Sequence, residues 1–402
     1  MTEPVVLAVI GANFGDEGKG LAVDYFCRRS VNSLVIRHNG GAQAGHTVET
    51  DGKRFVFHQL SSGSFRRAAT YLAETFLPDL YKLEEETDSF YQAAGFVPKL
   101  YADESANITV IDDVLVNMAL ETSRGENRHG SCGMGINEAV LRSEAGFGVS
   151  VGEVIGMTAR ELSRRLMEIR REYVCSRLGA LHLTELGEYG ELLHSGTVLE
   201  NAAEGMLRGA EYLTPVKGPA ELTRVRELIV FEGAQGLLLD AENKRFAPHV
   251  TASRTGLEYP LMICRKAGLT LQEAVYVMRS YVTRHGAGEL PCACEPTALG
   301  KIGTDRTNQE NPWQGNLRFG YYESPEQLAG AITGDLCDWR GRASLFVTHL
   351  NETTGMVKFF GRDLAAERLP EEPSFGGRIS GLYCSDSPFS EDTAAYRCEK
   401  KI

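Results

Sequence analysis

The chain has 402 residues, 43% of them hydrophobic and 24% charged, with a formal net charge of -12. That balance belongs to a globular protein able to bury a sizeable core, as two domains or one enlarged α/β domain. The acidic surplus argues against a general nucleic-acid binder, which needs a basic footprint, but leaves room for a local pocket holding a phosphorylated small molecule.

Residues 5–10 form a continuous apolar run, predicted to be a buried parallel strand and too short for a membrane span or a signal peptide. A glycine-rich turn follows, then a helical stretch over about 19–29 and a second strand at 34–37, closing a βαβ unit. Residues 47–59 alternate around Asp51-Gly52, a hairpin signal. Residues 107–120 read as strand then helix, and 161–178 as an amphipathic helix from the spacing of Leu162, Leu166, Ile169 and Val174. Buried strands recur at 228–231, 274–281 and 345–347. Strands alternating with helices predict an α/β fold with a largely parallel central sheet and flanking helices. The longest loop-like segment, about 286–320, is rich in Gly, Pro, Asn and Thr. Nine cysteines without a CxxC pair, and Cys292-Ala-Cys294 without a second pair, give no structural zinc pattern. An odd number of thiols and no export signal predict a cytoplasmic protein with reduced cysteines.

Three strand-to-loop junctions carry the chemistry. The first is Gly11-Ala12-Asn13-Phe14-Gly15-Asp16-Glu17-Gly18-Lys19-Gly20, where free amides, the helix dipole and Lys19 favour a phosphate. It is not a standard P-loop: Asn13 stands where the first glycine belongs, and Gly20 where a magnesium-binding Ser or Thr belongs. Asp16 within a phosphate loop is an electrostatic cost unless a metal or a reacting proton needs it; a tight turn with a solvated Asp-Glu pair is the plainer alternative. The second junction, Gly40-Gly41-Ala42-Gln43-Ala44-Gly45-His46-Thr47, lies beside the first because neighbouring parallel strands bring their carboxyl ends together, and His46 there can stabilise a transferring phosphoryl group. The third, Phe231-Glu232-Gly233-Ala234-Gln235-Gly236, offers Gln235 to a base, with Thr251 downstream as a phosphate donor.

Together these loops resemble the adenylosuccinate synthetase family, whose GDEGKG, GGxxAGHTV and FEGAQGxLLD motifs occur here in order. Gly130-Ser131-Cys132-Gly133-Met134-Gly135-Ile136 resembles the family's GTTGxGI, and Tyr281-Val282-Thr283-Arg284-His285-Gly286-Ala287-Gly288 its YxTRVGxGP. The resemblance spans about residues 5–350. It implies a P-loop-like adenylosuccinate synthetase fold. The chain then reads as a single enlarged α/β catalytic domain over 1–402, with a helical excursion at about 76–180 and a substrate loop at about 286–320. It further implies a ligase that phosphorylates the 6-oxygen of a purine nucleotide and then displaces phosphate with L-aspartate, in a homodimer.

The resemblance assigns Asp16 as base for the N1 proton and, with the Gly45 carbonyl, as ligand of Mg²⁺. Lys19 and His46 neutralise phosphoryl charge, Gln235 holds the activated base and Thr251 the 5′-phosphate. Asn13, Gly15, Glu17, Gly18, Gly20, Gln43, Ser131 and Cys132 complete the nucleotide and phosphate contacts, Cys132 replacing a threonine. Arg142 is the nearest candidate for an arginine that reaches across the family's dimer.

Departures bear on the substrates. Where the family has Lys-Leu-Asp to grip guanine of GTP, this chain has His349-Leu350-Asn351; the amide weakens guanine recognition and makes ATP a plausible donor. The family's TTGRxRRxGW loop is here Asn311-Pro312-Trp313-Gln314-Gly315-Asn316-Leu317-Arg318-Phe319-Gly320; Asn311, Gln314, Gly315 and Arg318 are the candidate amino-acid contacts, and Arg318 is the one cation kept. Such departures resemble the phage-type 2-aminoadenylosuccinate synthetases, which take GMP or dGMP; Phe14 and Leu21 fit that branch, whereas Asp16 and Glu17 do not, so IMP is favoured. A nucleotide-binding regulator that has lost synthesis is the alternative from another class, and a generic P-loop phosphotransferase is disfavoured by the absent GxxxxGK(S/T).

Overall fold

The computed structural model describes residues 3–125, 128–303 and 313–397. In chain order, β1 (Val5–Gly11) is followed by β2 (Ser33–Arg37), a hairpin of β3 (His46–Thr50) and β4 (Lys53–Phe57), β5 (Ala69–Leu72), β6 (Leu100–Asp103), β7 (Thr214–Val216), β8 (Leu228–Glu232) and β9 (Glu273–Arg279). The short β10 (Val282–Arg284), β11 (Ala293–Cys294) and β12 (Arg318–Gly320) come next, then β13 (Arg342–Thr348), a second hairpin of β14 (Met356–Phe359) and β15 (Arg362–Ala365), β16 (Ile379–Cys384) and β17 (Ala394–Arg397).

Ten strands form one sheet in the order β17-β16-β13-β9-β1-β8-β2-β5-β6-β7. Every neighbouring pair is parallel except the edge pair β16 and β17. The apolar runs read from the sequence are the middle of this sheet. β1 lies between β8 and β9, with Val5 opposite Leu228 and Leu7 opposite Glu273. Its alternate side chains enter two different apolar clusters, Val6, Ala8 and Ile10 on one face and Leu7 and Val9 on the other, which is why the strand is apolar throughout.

The Asp51-Gly52 hairpin forms as expected: both residues have positive φ (48° and 73°), the backbone of a turn whose twist matches paired strands. Residues 107–110 are not a strand. Only an isolated bridge joins Asn107 to Ser150, and the Asp113 carboxylate accepts from the Val110 N–H (3.0 Å) to start the helix Ile111–Arg124. The helix expected at 161–178 runs over Ala159–Ile169, passes through a π-turn at Arg170–Val174 and resumes at Cys175–Ala180. Arg170 forks onto Asp112 (2.6 and 2.9 Å) at that turn. Helices continue beyond the expected excursion, to Gly196–Ala210. Strands β5, β6, β7, β16 and β17 were not expected. They are three to six residues long, two of them carry a proline or a glycine, and their pairing partners rather than their own sequence hold them extended.

Candidate active site

The carboxyl ends of β1, β2, β8, β9 and β13 open side by side into a cleft of about 1140 Å³. Asp16, Lys19, His46, Gln235, Thr251 and Asn351 line it, together with Gly15, Glu17, Gly18, Gly20, Gln43, Gly45, Ser131, Cys132, Gln314 and His349. Motifs scattered along the sequence therefore share one cavity. Gly315 and Arg318 line a neighbouring depression, and Asn311 lies outside the described residues.

The first glycine loop is built around Glu17. Its buried carboxylate accepts the N–H groups of Asn13 (3.0 Å) and Gly15 (2.8 Å) and pairs with the Lys19 ammonium (2.9 Å). A Cβ on Gly11 would stand 2.5 Å from Glu17 Oε2, and one on Gly236 2.7 Å from Oε1, so glycine is required on both sides of this carboxylate. The plainer alternative of a solvated Asp-Glu pair does not hold: Glu17 points inward as a strut, and only Asp16 is left partly open to the cleft. Asn13 also turns inward, donating from Nδ2 to the Tyr322 hydroxyl (3.2 Å), and its side chain is not part of the cleft wall.

Asp16 has a left-handed backbone (φ 59°), as do Gln235 (φ 54°) and His349 (φ 59°); all three border the cleft. Non-glycine residues held in this region concentrate where structure is set for a task. The Arg279 Nε donates to the Asp16 carbonyl (2.5 Å). Burial raises the Asp16 carboxyl above the usual carboxylate range, opposed by the positive charges of Arg279 and Lys19 and assisted by Glu17. Nearby, Oε1 of Gln43 and Oε1 of Gln235 are buried without a hydrogen-bond partner. Each leaves an acceptor whose desolvation costs about 1–3 kcal/mol, which a donor on a ligand would recover.

His46 contacts Glu232 through Nδ1 (2.6 Å). Burial lowers the ring to about 4, with Arg37 and Lys19 adding to the effect and Glu232 opposing it. Arg37, His46 and Ser62 outweigh burial at Glu232 and hold its carboxyl at about 2. The ionised Glu232 can only accept, so Nδ1 carries the proton and the ring is neutral near pH 7. A dianionic group at the cleft side of the ring favours a second proton on Nε2, which turns His46 into a charged donor.

The loop that carries Ser131 is also internally supported. Glu121 accepts from the N–H groups of Gly130 (3.1 Å) and Ser131 (3.3 Å), and the Ser131 hydroxyl donates to Asn117 (2.8 Å). Burial raises the Cys132 thiol, keeping it protonated. Thr251 is held by its N–H to the Leu239 carbonyl (2.8 Å), with its side chain on the cleft wall.

Arg142 must be corrected. It is fully buried, forks onto Asp113 (2.9 Å twice) and donates to the carbonyls of Ile108 (2.8 Å) and Phe147 (2.6 Å). Its donors are spent inside the subunit, and it does not border the cleft.

Sequence reasoning passed over Glu232, Arg279 and Glu121. Glu232 lies within a quoted motif, and Arg279 is a charge ending a buried apolar strand, both usable signals. Glu121 had none, being a helical acid whose partners are loop amides.

A family model described as adenylosuccinate synthetase matches residues 8–311. The adenylosuccinate synthetase of Thermus thermophilus is 30% identical over 295 residues, covering 71% of this chain and 65% of that protein. That of Proteus mirabilis is 29% identical over 296 residues, covering 71% of this chain and 64% of that protein. The matched region thus spans just under two thirds of those relatives. Among solved structures, the fully ligated adenylosuccinate synthetase from Plasmodium falciparum superposes with a TM-score of 0.72 at 17% identity, covering 98% of this chain and 100% of that one. The succinoaminodeoxyadenylate synthetase of cyanophage S-2L, bound to dGMP and to dATP as an energy donor, gives 0.62 at 16% identity, covering 98% and 96%. Both likenesses establish the fold.

Proposed function

The chain belongs to the adenylosuccinate synthetase family, and from that premise we propose that it joins L-aspartate to a purine nucleoside monophosphate at the expense of a nucleoside triphosphate. Asp16 takes the N1 proton of the base, and the 6-oxygen attacks the γ-phosphorus as the nucleoside diphosphate leaves. The aspartate amine then attacks C6, the C6–O bond breaks, inorganic phosphate departs, and the nitrogen loses a proton.

One observation carries this proposal: a carboxylate in a glycine loop, raised by burial, beside two buried glutamine acceptors that no protein group satisfies. Burial increases the proton affinity of Asp16, the direction a base for a weakly acidic purine N–H requires. Gln235 and Gln43 supply acceptors to N–H groups of the base or ribose hydroxyls. Lys19, now paired with Glu17, and His46, oriented by Glu232, offset charge on the phosphoryl group, and Thr251 donates to the 5′-phosphate.

The residues present fit Mg²⁺. Among the described residues no three acidic, histidine or cysteine side chains cluster as a protein-only cage. The Asp16 carboxylate, partly open to the cleft, with the Gly45 carbonyl on the same cleft, suits an ion that takes most of its oxygens from phosphates and water. When bound it neutralises phosphate oxygens. A homodimer and a cytoplasmic location complete the proposal. The described cysteines are all free, as a reducing compartment requires, and no described helix is long and apolar enough to cross a membrane.

IMP is the proposed acceptor. A second assignment takes GMP or dGMP with ATP as donor; Asn351 on the cleft wall, whose amide presents a donor where guanine also donates, favours the ATP part of it. The test incubates the protein with Mg²⁺ and L-aspartate and crosses IMP, dIMP, GMP and dGMP with ATP and GTP. Mass spectrometry is expected to find a succinyl adduct for at least one pair; none with any pair would overturn the proposal.

A further inference from the structure

Six of the chain's nine histidines line the main cleft, among them His129 and His249. The fixed cations on its wall are already committed. Lys19 pairs with Glu17, Arg54 with Glu49, Arg124 with Glu121 and Arg177 with Glu138. Arg279 donates to the Asp16 carbonyl, and Arg284 to the carbonyls of Glu289 and His249. The cleft's reserve of positive charge is therefore titratable and held by its imidazoles.

Two of these rings meet where the loops assigned to the nucleotide's phosphate meet. His129 lies two residues before Ser131 and His249 two residues before Thr251, and all four line the cleft. The ring centroids are 5.5 Å apart with the planes at 73°. His249 Nδ1 contacts the carbonyl oxygen of His129 (3.0 Å). A carbonyl oxygen can only accept, so Nδ1 carries the proton and Nε2 is the basic nitrogen. Arg284, at the end of β10, donates to the His249 carbonyl (2.9 Å) and holds that loop in place. Arg124 and Glu121 face His129 from the helix Ile111–Arg124, and His285 borders the same cleft just after β10. Burial, then Arg124, lowers the His129 ring against the opposing pull of Glu121, and His249 lowers it further. His129 is thus the member of the pair that stays neutral near pH 7.

We propose that His249 is a phosphate-binding residue that becomes charged as its ligand enters. A phosphate monoester dianion seated between Ser131 and Thr251 draws a proton from the buffer onto His249 Nε2. The imidazolium then donates to a phosphate oxygen, and the proton returns to the buffer on release. His129 is the positioning residue: its carbonyl fixes the tautomer, and its ring packs against the imidazole that charges. This rests on the assignment of the cleft to a purine nucleotide. It supplies the phosphate with a cation that Arg142, spent on Asp113, does not. Because binding takes up a proton, affinity falls as the pH rises above 7.

Calorimetry of IMP and of dGMP binding between pH 7 and 8.5, in buffers of different ionisation enthalpy, counts the protons taken up. The phosphate's own second proton leaves at about pH 6, so uptake in this interval reports the protein. About half a proton is expected at pH 7, with a roughly threefold rise in Kd by pH 8.5. That is the response of one imidazole that holds its proton about tenfold more tightly in the complex. His249→Asn keeps a donor for the His129 carbonyl but cannot titrate, and is expected to lose both the uptake and the pH dependence. His129→Phe keeps the carbonyl and a ring, and is expected to retain them. Unchanged uptake in His249→Asn, an equal loss in His129→Phe, or no uptake by the wild type overturns the proposal. The wild-type measurement decides even where a variant fails to fold. The two assignments fail separately. Neither nucleotide binding at any pH, with no succinyl adduct, sinks the nucleotide site itself, whereas binding without uptake sinks the charging of His249 alone.

Discussion

Replacing Glu17 by glutamine tests whether the first glycine loop is held from inside. The substitution keeps the shape and one oxygen, so the N–H groups of Asn13 and Gly15 still find an acceptor at about their present 3.0 and 2.8 Å. What changes is charge. Bonds to an ionised acceptor, worth about 1.5–3 kcal/mol each, fall toward about 1 kcal/mol. The amide also sets a donor against the Lys19 ammonium, which is 3% exposed and now 2.9 Å from the carboxylate. Stranding one partner of a buried pair costs about 3–5 kcal/mol. A loss of about 4 kcal/mol in urea unfolding is expected. Adding Lys19→Met removes the stranded charge and is expected to return roughly half of it, leaving the double variant about 2 kcal/mol below the wild type; Lys19→Met alone strands Glu17 at a cost of about 3–5 kcal/mol, so the two single losses are far from additive in the double-mutant cycle. A Glu17→Gln protein within about 0.5 kcal/mol of wild type, or strictly additive variants, would refute the strut.

Asp16→Asn is expected to lower kcat at least about 10³-fold, a loss of the order assigned to a general base, and to leave stability equal or raised. Because the native carboxyl holds its proton more tightly than the unfolded chain does, ionising it near pH 7 works against folding, and the amide removes that burden; a less stable variant would contradict it. Arg142→Ala is expected to cost about 3–5 kcal/mol by stranding Asp113, while the nucleotide KM of the folded fraction stays within about twofold; a large KM effect would restore a phosphate role. His38 and His46 are buried and lowered to about 3 and about 4. The unfolded chain, with histidines near 6.5, takes those protons first. Their contribution to stability is therefore complete above about pH 6.5 and is lost as the pH falls toward 4, by about 1.4 kcal/mol per pH unit for each ring. In denaturant titrations between pH 6.5 and 5, His38→Gln should lessen this dependence, and an unchanged slope would show that the ring does not titrate as described.

Much of the central sheet was legible because its inner strands are apolar on both faces: β1, β2, β8, β9 and β13 announce themselves by composition. The loops that follow them could be placed in one cleft for a topological reason, since adjacent parallel strands end at the same edge. Strands such as Leu100–Asp103, with one side chain in four strongly β-favouring, are extended by their neighbours and leave no periodic trace. Distant pairing hid the rest. Nothing around Arg142 announces that Asp113, 29 positions earlier, absorbs its charge.

The left-handed backbone at positions 16, 235 and 349 narrows what mutation can explore. At such a φ, glycine and asparagine enter without rearranging the main chain, whereas valine and isoleucine are opposed by their own Cβ before any question of chemistry arises. In a saturation library these sites should therefore split into two populations. A small set keeps the fold and loses or retunes turnover, and a larger β-branched set disappears at the level of soluble protein. Drift at the floor of this cleft would then proceed through a few small or amide side chains.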